Sequence, residues 1–325
     1  MSFRLQRTRI GVVRGGPSQE YRVSLWTGAA ILKILREELA EKYEPFDILV
    51  DRQGSWHING LPREPERALR GIDVAVNAMR GAYGEDGKAS RIFESLRVPH
   101  TGANPFASAL SFNKHATKDF LREHKIPMPY HHTIKKGDFS PSNVFEMFRS
   151  VPMPAIVKPV DSGSSFGVLY AGNLKELANA IESAFNFSRM ALVEEYIPGV
   201  EVTVGVVRGF RNEPFYVLMP TEINRARILT FNDKYIQKVP TRTPARISQK
   251  LKEKVLELAK KVHRALDLGA YSKSDFIVHP KRGVMFLEVN SLPALNEGAH
   301  FYEGLKAVGA TPAQFLDHVI TFVKN

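Results

Sequence analysis

The sequence predicts a chain of mixed α/β and α+β class, opening on a doubly wound parallel sheet. Two observations predict it. Over roughly the first hundred residues, short apolar β-rich runs alternate with runs of helical spacing, the pattern of a parallel sheet with helices on its faces. From Asn104 onward, strands instead come in pairs separated by Gly- or Pro-bearing turns, as in antiparallel hairpins.

Taken in order, RIGVVRGG is a first strand closed by Gly15 and Gly16, and VSLWTGAAILKIL has helical spacing of apolar residues. FDILVDRQGSWHING reads as strand, turn, strand, and GIDVAVNAM as a buried strand ending in the Gly- and acid-rich loop RGAYGEDG. SRIFESL is a short helix and VPHTG a short strand. Ligands of such sheets sit at the carboxyl ends of the strands, where both RGGPSQE and RGAYGEDG fall. SALSFNKHATKDFLREHKI reads as one helix, broken at Pro127 and Pro129. SNVFEMF is a short helix, PAIVKPV a strand, SGSSFG a turn, VLYAG the return strand and NLKELANAIESAF a helix. The third region holds the strand ALVEEYI, the turn PGVE, long strands TVGVVRG and EPFYVLMPTEI, and the polar stretch FNDKYIQKVPTRTPARIS, a loop over a site. Helix KLKEKVLELAKKVHRALDL and the hairpin YSKSDFIVHP/GVMFLEVN follow. There is no internal repeat. The pattern divides the chain into three regions, 1–102, 103–193 and 194–325.

With 325 residues, 43% hydrophobic and 24% charged, the chain is long enough for two or three cores. No apolar run is long enough to span a bilayer, so no membrane partner is expected. The opening MSFRLQRTRIGVV lacks the apolar region of a signal peptide, and a cytoplasmic location is expected. The absence of cysteine excludes disulfides, thiolate metal sites and a cysteine nucleophile. The net charge of +11 is spread along the chain with no basic block interleaved with aromatics. Nucleic acid is therefore not an expected partner; a positive cleft that concentrates anionic substrates is.

Four constellations carry chemistry. Asp275 lies in one strand of the last hairpin, Glu288 and Asn290 in the other; alternation puts Glu288 and Asn290 on one face, and Asp275 can join them across the ladder. Oxygen ligands without His or Cys suit a hard cation, Mg2+ or Mn2+, although a half-exposed strand pair would read the same. In VKPVDSGSSFGV, Lys158 ends an apolar strand before a turn of Gly163, Ser164, Ser165 and Gly167, which can cradle phosphate with backbone N–H groups or simply close a hairpin. In VEEYIPGVE, the carboxylates of Glu194, Glu195 and Glu201 could accept from an exocyclic amine and from ribose hydroxyls, or form a solvated acidic turn. Glu20, with Arg80 and Tyr83 on the second loop, could anchor a substrate or simply serve the chemistry of the turns. The histidines show no metal-ligand spacing.

Together these segments resemble the D-alanine–D-alanine ligase family of the ATP-grasp superfamily. GGPSQEYRVSL, GAYGEDG, SALSFNKHATKDFL, VKPVDSGSSFGV, VEEYIPGVEVTV and DFIVHPKRGVMFLEVNSLP match its signatures in order over nearly the whole chain. The resemblance implies an ATP-grasp fold, ATP gripped between the last two subdomains, D-amino-acid substrates, peptidoglycan synthesis and a homodimer. It implies that Lys114 and Lys158 bind phosphates with Ser165 in the phosphate-binding turn, that Glu194 and the backbone near Tyr196 and Ile197 hold adenine, and that Glu201 holds ribose. Asp275, Glu288 and Asn290 match metal ligands. Glu20, Ser164 and Tyr235 match a trio that positions the first amino acid and the closing loop, and Lys234 a lysine reaching the γ-phosphate.

The chain departs from the family pattern at three places. Lys273 stands where Arg usually precedes the metal Asp, so a monodentate ammonium replaces a bidentate fork at the catalytic oxyanion. Arg80 stands where the second loop usually begins with His. After Asn290, SLPALNEGAHFYEG replaces the usual Thr-x-Pro-Gly-Met-Thr and the following Ser-Leu that hold the second substrate's carboxylate. Three functions follow from this pattern: a D-alanine–D-alanine ligase, a carboxylate–amine ligase with another acceptor, and a nucleotide-binding homologue with little activity.

Overall fold

The computed structural model describes residues 7–224 and 239–325; Lys234 and Tyr235 lie outside the described residues. Strand β1 (Thr8–Gly15), helix α1 (Tyr21–Glu37) and β2 (Tyr43–Val50) form a β-α-β unit with parallel strands, and β5 (Val74–Asn77) joins β1 in parallel on the other side. The hairpin β3 (Trp56–Ile58) and β4 (Leu61–Arg63) adds antiparallel strands beyond β2, giving the order β4-β3-β2-β1-β5. Its turn is Asn59-Gly60 with φ of 52° and 77°; positive φ at both residues matches the turn to strand twist. VPHTG forms a single parallel bridge, Ala75 to His100, rather than the expected strand. Helices α2 (Pro65–Ala68) and α3 (Lys88–Ser95) cover one face of this sheet through a core of Val13, Ile48, Met79 and Phe93.

The expected long helix after Asn104 is two, α4 (Pro105–Phe112) and α5 (Lys114–Glu123). Asn113 breaks it: its backbone is extended, and its side chain accepts the Ala116 N–H as the N-cap of α5. The central sheet orders β6 (His131–Lys135), β9 (Met190–Glu195), β7 (Ala155–Pro159) and β8 (Leu169–Ala171), with α6 (Pro141–Ser150) and α7 (Leu174–Ala184) packed on it.

The third sheet runs β13 (Thr241–Arg242), β12 (Thr221–Ile223), β10 (Val200–Arg208), β14 (Tyr271–His279) and β15 (Gly283–Asn290). EPFYVLMPTEI, expected as one strand, splits into β11 (Phe215–Val217) and β12, both paired with β10. Pro220, with no N–H to donate, falls in the gap between them. Helix α8 (Gln249–Ala265) lays Val255, Leu258, Ala259 and Val262 on one face of the sheet, leaving the other for polar residues. After α9 (His300–Ala307), α10 (Pro312–Lys324) crosses back to the first sheet. Phe315, Leu316, Val319 and Ile320 share a core with Ile10, Val12, Ile31 and Leu35, and Asp317 accepts from Lys42 and the Tyr43 hydroxyl at 2.7 Å each.

One buried histidine makes this fold acid-sensitive. His263 on α8 is wholly buried, with Nδ1 2.7 Å from Ser272 Oγ on β14, and burial pushes its pKa from 6.5 down to about 4. A folded-state pKa below the unfolded one stabilises fully above pH 6.5 and is lost as pH falls toward 4. Between pH 7.5 and 5 the loss at this residue should be about 2 kcal/mol. Denaturant titrations at the two pH values should show His263→Gln flattening the dependence by that amount; parallel curves for the two proteins would refute the assignment.

Candidate active site

The polar face of the third sheet is built by register. Asp275 pairs with Glu288 and Lys273 with Asn290 across β14 and β15, while Thr203 of β10 flanks Asp275 on the other side. Paired residues point to one face, so Lys273, Asp275, Glu288 and Asn290 project together. A bulge makes this so. Phe276 pairs with Phe286, but Asp275 pairs with Glu288, leaving Leu287 as the extra residue. Without it Glu288 would fall opposite Ser274, on the face covered by α8, because a one-residue slip reverses every side chain. Asp275 is buried, and Lys273 Nζ donates to both its carboxylate oxygens at 2.7 and 2.8 Å. Among the described residues no cluster of three His, Cys, Asp or Glu side chains forms. The set here is two carboxylates and an amide, hard oxygen donors already in contact with one cation, and this chemistry fits Mg2+ or Mn2+.

Where the central sheet meets this face, Glu194 of β9 is 2% exposed and takes a lysine at each oxygen: Lys118 Nζ at 2.6 Å and Lys158 Nζ at 2.5 Å. Burial alone would raise the Glu194 pKa, but the two ammoniums hold it down at about 2. Burial also works against charge on Lys158, yet Glu194 and Glu288 raise its pKa above the ordinary lysine value. Two buried cations against one buried anion leave positive charge for a phosphate. Lys114 is also near: its Nζ donates to the Ser162 carbonyl and lies 3.8 Å from Glu288 Oε2. Thus Lys114, Lys158 and Glu194 converge, while the carboxylate expected to meet adenine is held by lysines. Beside them Ile197, Ile277, Met285 and Leu287 form a small apolar cluster, and Tyr196 packs edge-on to Tyr170. Glu201 lies opposite Ile277 on β10, on the same face. Glu195 instead forms a fork with Arg282 at 2.7 and 2.8 Å, away from the cluster.

The carboxyl end of the first sheet supplies the third part. The two loops there are tied by Ser18 Oγ donating to the Arg80 carbonyl at 2.7 Å. Glu20 is 2% exposed; its Oε2 lies 3.5 Å from Arg80 Nε, and its oxygens accept no hydrogen bond from the described residues. Arg80 NH1 also lies 3.3 Å from Glu85, whose other oxygen takes the Gly81 N–H at 2.6 Å. Burial raises the Glu85 pKa to about 7 against the pull of Arg80. The Gly/Ser turn lies against Glu20: a Cβ at Gly163 would lie 2.0 Å from Glu20 Oε1 and would push that carboxylate aside. Ser164 and Ser165 follow with φ of 49° and 60°, strained values for residues with a Cβ.

A cavity of about 640 Å3 is bordered by Arg80, Ser164, Lys273, Asp275, Glu288 and Asn290 on one side and by Pro293, Ala294 and residues 296–301 on the other; Arg80 and Glu288 link it to Glu20 at 3.5 Å and to Lys114 at 3.8 Å. The structure therefore brings Glu20, Ser164, Lys114, Lys158, Glu194, Lys273, Asp275, Glu288 and Asn290 into one region. Sequence reasoning passed over Lys118, Glu85 and the apolar cluster. Lys118 was findable: it stands four residues after Lys114, one helical turn on and on the same face.

The chain is similar to known proteins in sequence and fold. Residues 120–321 match a family described as D-ala D-ala ligase C-terminus. The D-alanine–D-alanine ligase of Flavobacterium psychrophilum is 32% identical over 323 residues, covering 96% of both chains, and that of Geotalea uraniireducens is 34% identical over 294 residues, covering 90% of this chain and 88% of the relative. Among solved structures, the VanG D-Ala:D-Ser ligase of Enterococcus faecalis superposes with a TM-score of 0.84 at 26% identity, covering 98% of this chain and 100% of the other. The D-alanine–D-alanine ligase of Bacillus anthracis complexed with ATP gives 0.77 at 26%, covering 98% and 96%. The three sheets are those of the ATP-grasp fold, and the chain belongs to the D-alanine–D-alanine ligase family.

Proposed function

We propose that this chain is an ATP-dependent ligase that forms D-alanyl-D-alanine from two D-alanines through an acyl-phosphate, for peptidoglycan synthesis in the cytoplasm. The observation that carries it is the grouping of charge around one cavity: Asp275, Glu288 and Asn290 border it, Lys114 lies 3.8 Å from Glu288, Glu20 lies 3.5 Å from Arg80 on its wall, and the Lys118–Glu194–Lys158 group packs behind. The division at 1–102, 103–193 and 194–325 is part of this reading, with α10 returning to the first unit. So is a homodimer.

In this reading the apolar slot of Ile197, Ile277, Met285 and Leu287 takes adenine, with backbone groups at Tyr196 and Ile197 along its edge and Glu201 on the ribose. Lys158 and Lys118 face the phosphates, with Lys114 and Ser165 beside them. Glu20, with no described donor on its oxygens, receives the ammonium of the first D-alanine. The carboxylate of this first D-alanine attacks the γ-phosphorus of ATP, releasing ADP. The amine of the second D-alanine then attacks the acyl carbon, the bond from that carbon to the phosphate oxygen breaks, and the proton lost by the amine leaves with the phosphate. Lys273 and Ser164 stand beside the carbonyl where negative charge develops. Asp275, Glu288 and Asn290 would hold Mg2+ or Mn2+, which neutralises phosphate charge when bound. Lys234 and Tyr235 are assigned by resemblance to the γ-phosphate and to the closure that excludes water.

The acceptor side is where this chain is its own. Helix α9 starts at the cavity with no side-chain N-cap, so its first N–H groups suit a carboxylate. Ala294, Leu295, Asn296 and Glu297 replace the family's usual residues before it. The test is phosphate release from ATP over a panel of D- and L-amino acids, with product masses. D-alanine should support turnover alone and dominate as acceptor in equimolar mixtures with D-serine and larger D-amino acids. A mixed product in the majority would move the chain to another acceptor and leave ATP-dependent ligation standing; no phosphate release with any D-amino acid would remove the ligase reading.

A further inference from the structure

Asp275 is two residues from Lys273 on one face of β14, and the ammonium bridges both its oxygens at 2.7 and 2.8 Å. The pair is well shielded, with side chains 14% and 6% exposed. An ammonium set this way covers the open edge of the carboxylate, the edge a metal ion needs. A divalent cation bonds such an oxygen at about 2.0–2.1 Å, which would put it against the ammonium without intervening water. Like charges this close in a shielded site repel strongly. The two occupants therefore exclude one another. The ammonium has somewhere to go, because Lys273 borders the cavity of about 640 Å3. On its other side, across from Gly205 of β10, the face is closed: a Cβ at Gly205 would lie 2.7 Å from the Phe301 ring. Movement toward the cavity, which Ser164 and Arg80 also border, is the open direction.

We infer that Lys273 is the resident counter-ion of Asp275, displaced by the metal ion into the substrate cavity, so that metal loading itself delivers this positioning lysine to the reacting carboxylate. The inference rests on the reading of Asp275, Glu288 and Asn290 as metal ligands. It makes metal–nucleotide loading a precondition for a charged substrate site. It also explains how a single-pronged ammonium can serve here: its flexible four-carbon stem can swing between two anions, which a planar guanidinium fork does less readily.

The test is Mn2+ binding measured by electron paramagnetic resonance on the full chain with saturating AMP-PNP. Lys273→Met should bind Mn2+ about tenfold more tightly than wild type, the effect of removing a charge-assisted competitor. Glu288→Gln should lose most of the binding. If Glu288→Gln weakens Mn2+ binding but Lys273→Met leaves it within twofold of wild type, the displacement is wrong and the metal site stands. If wild type has no Mn2+ site that Glu288→Gln removes, the metal-site reading itself falls. Crystals of the wild-type chain with Mn2+ and AMP-PNP give a second readout should Lys273→Met fold poorly: Lys273 Nζ should lie beyond hydrogen-bond distance of Asp275, and an ammonium still bridging both oxygens overturns the inference.

Discussion

Glutamine in place of Glu288 should reduce Mg2+-dependent turnover by about a thousandfold or more while leaving the fold intact. The loss follows from a charge count. Glu288 supplies one of the two carboxylate charges of the set, beside Asp275 with its Lys273 contact at 2.7 and 2.8 Å. An amide keeps the size and one oxygen but removes that charge, and hard cations hold neutral amides far more weakly than carboxylates. Stability should change little, since the Glu288 side chain is a quarter exposed and glutamine keeps its size. A melting temperature near wild type with lost turnover and lost Mn2+ binding is the expected result. Turnover within tenfold of wild type, still dependent on Mg2+, would take Glu288 out of the metal site.

Much of this arrangement is legible in the sequence because it depends on local period. The alternation in GVMFLEVN puts Glu288 and Asn290 on one face without knowledge of the fold. What cannot be read is the bulge. Whether Asp275 shares that face depends on a single extra residue, Leu287, and FLEV looks the same with or without it. The fold behaves alike. Strands and helices with strong apolar period appear where expected, whereas the break at Asn113 is a capping event inside an otherwise helical pattern. VPHTG has strand-like composition but meets Ala75 through one bridge only.

The long-range associations were beyond local pattern. Nothing in Pro312–Lys324 says that its apolar stripe belongs with Ile10 and Ile31 rather than with the adjacent sheet. Lys118 lies in a helix, Lys158 and Glu194 in two strands of the central sheet, and only the packed fold shows that one carboxylate serves both lysines. The role of Gly163 is likewise tertiary: a glycine in a Gly/Ser turn reads as turn chemistry, yet a Cβ there would displace the Glu20 carboxylate, which comes from the residue before α1.

That shared carboxylate makes Glu194 the residue whose removal should cost the fold most among the polar groups of the site. Glu194→Ala leaves two ammoniums, Lys118 at 1% and Lys158 at 9% exposure, facing an empty space in place of their counter-ion. Breaking a buried charge set by removing one partner typically costs about 3–5 kcal/mol. Glu194 itself, held at about 2 against 4.5 for an ordinary glutamate, stabilises fully above pH 4.5 and loses that contribution as pH falls toward 2. The deficit in the variant should therefore be fully visible at pH 7. It should shrink as pH rises, because burial already draws the Lys118 pKa below its usual value, and without Glu194 this lysine can shed its proton inside the fold. Adding Lys118→Met to Glu194→Ala should recover much of the loss by removing one of the two stranded charges. ATP affinity should separate from stability: the double variant regains a folded state but, on the phosphate role proposed for Lys118, binds nucleotide more weakly. Denaturant titrations of the three proteins at pH 7 and pH 9, with nucleotide binding by calorimetry, measure both. A Glu194→Ala protein within 1 kcal/mol of wild type at pH 7 would mean that water reaches the two lysines and that the carboxylate is not their principal counter-ion.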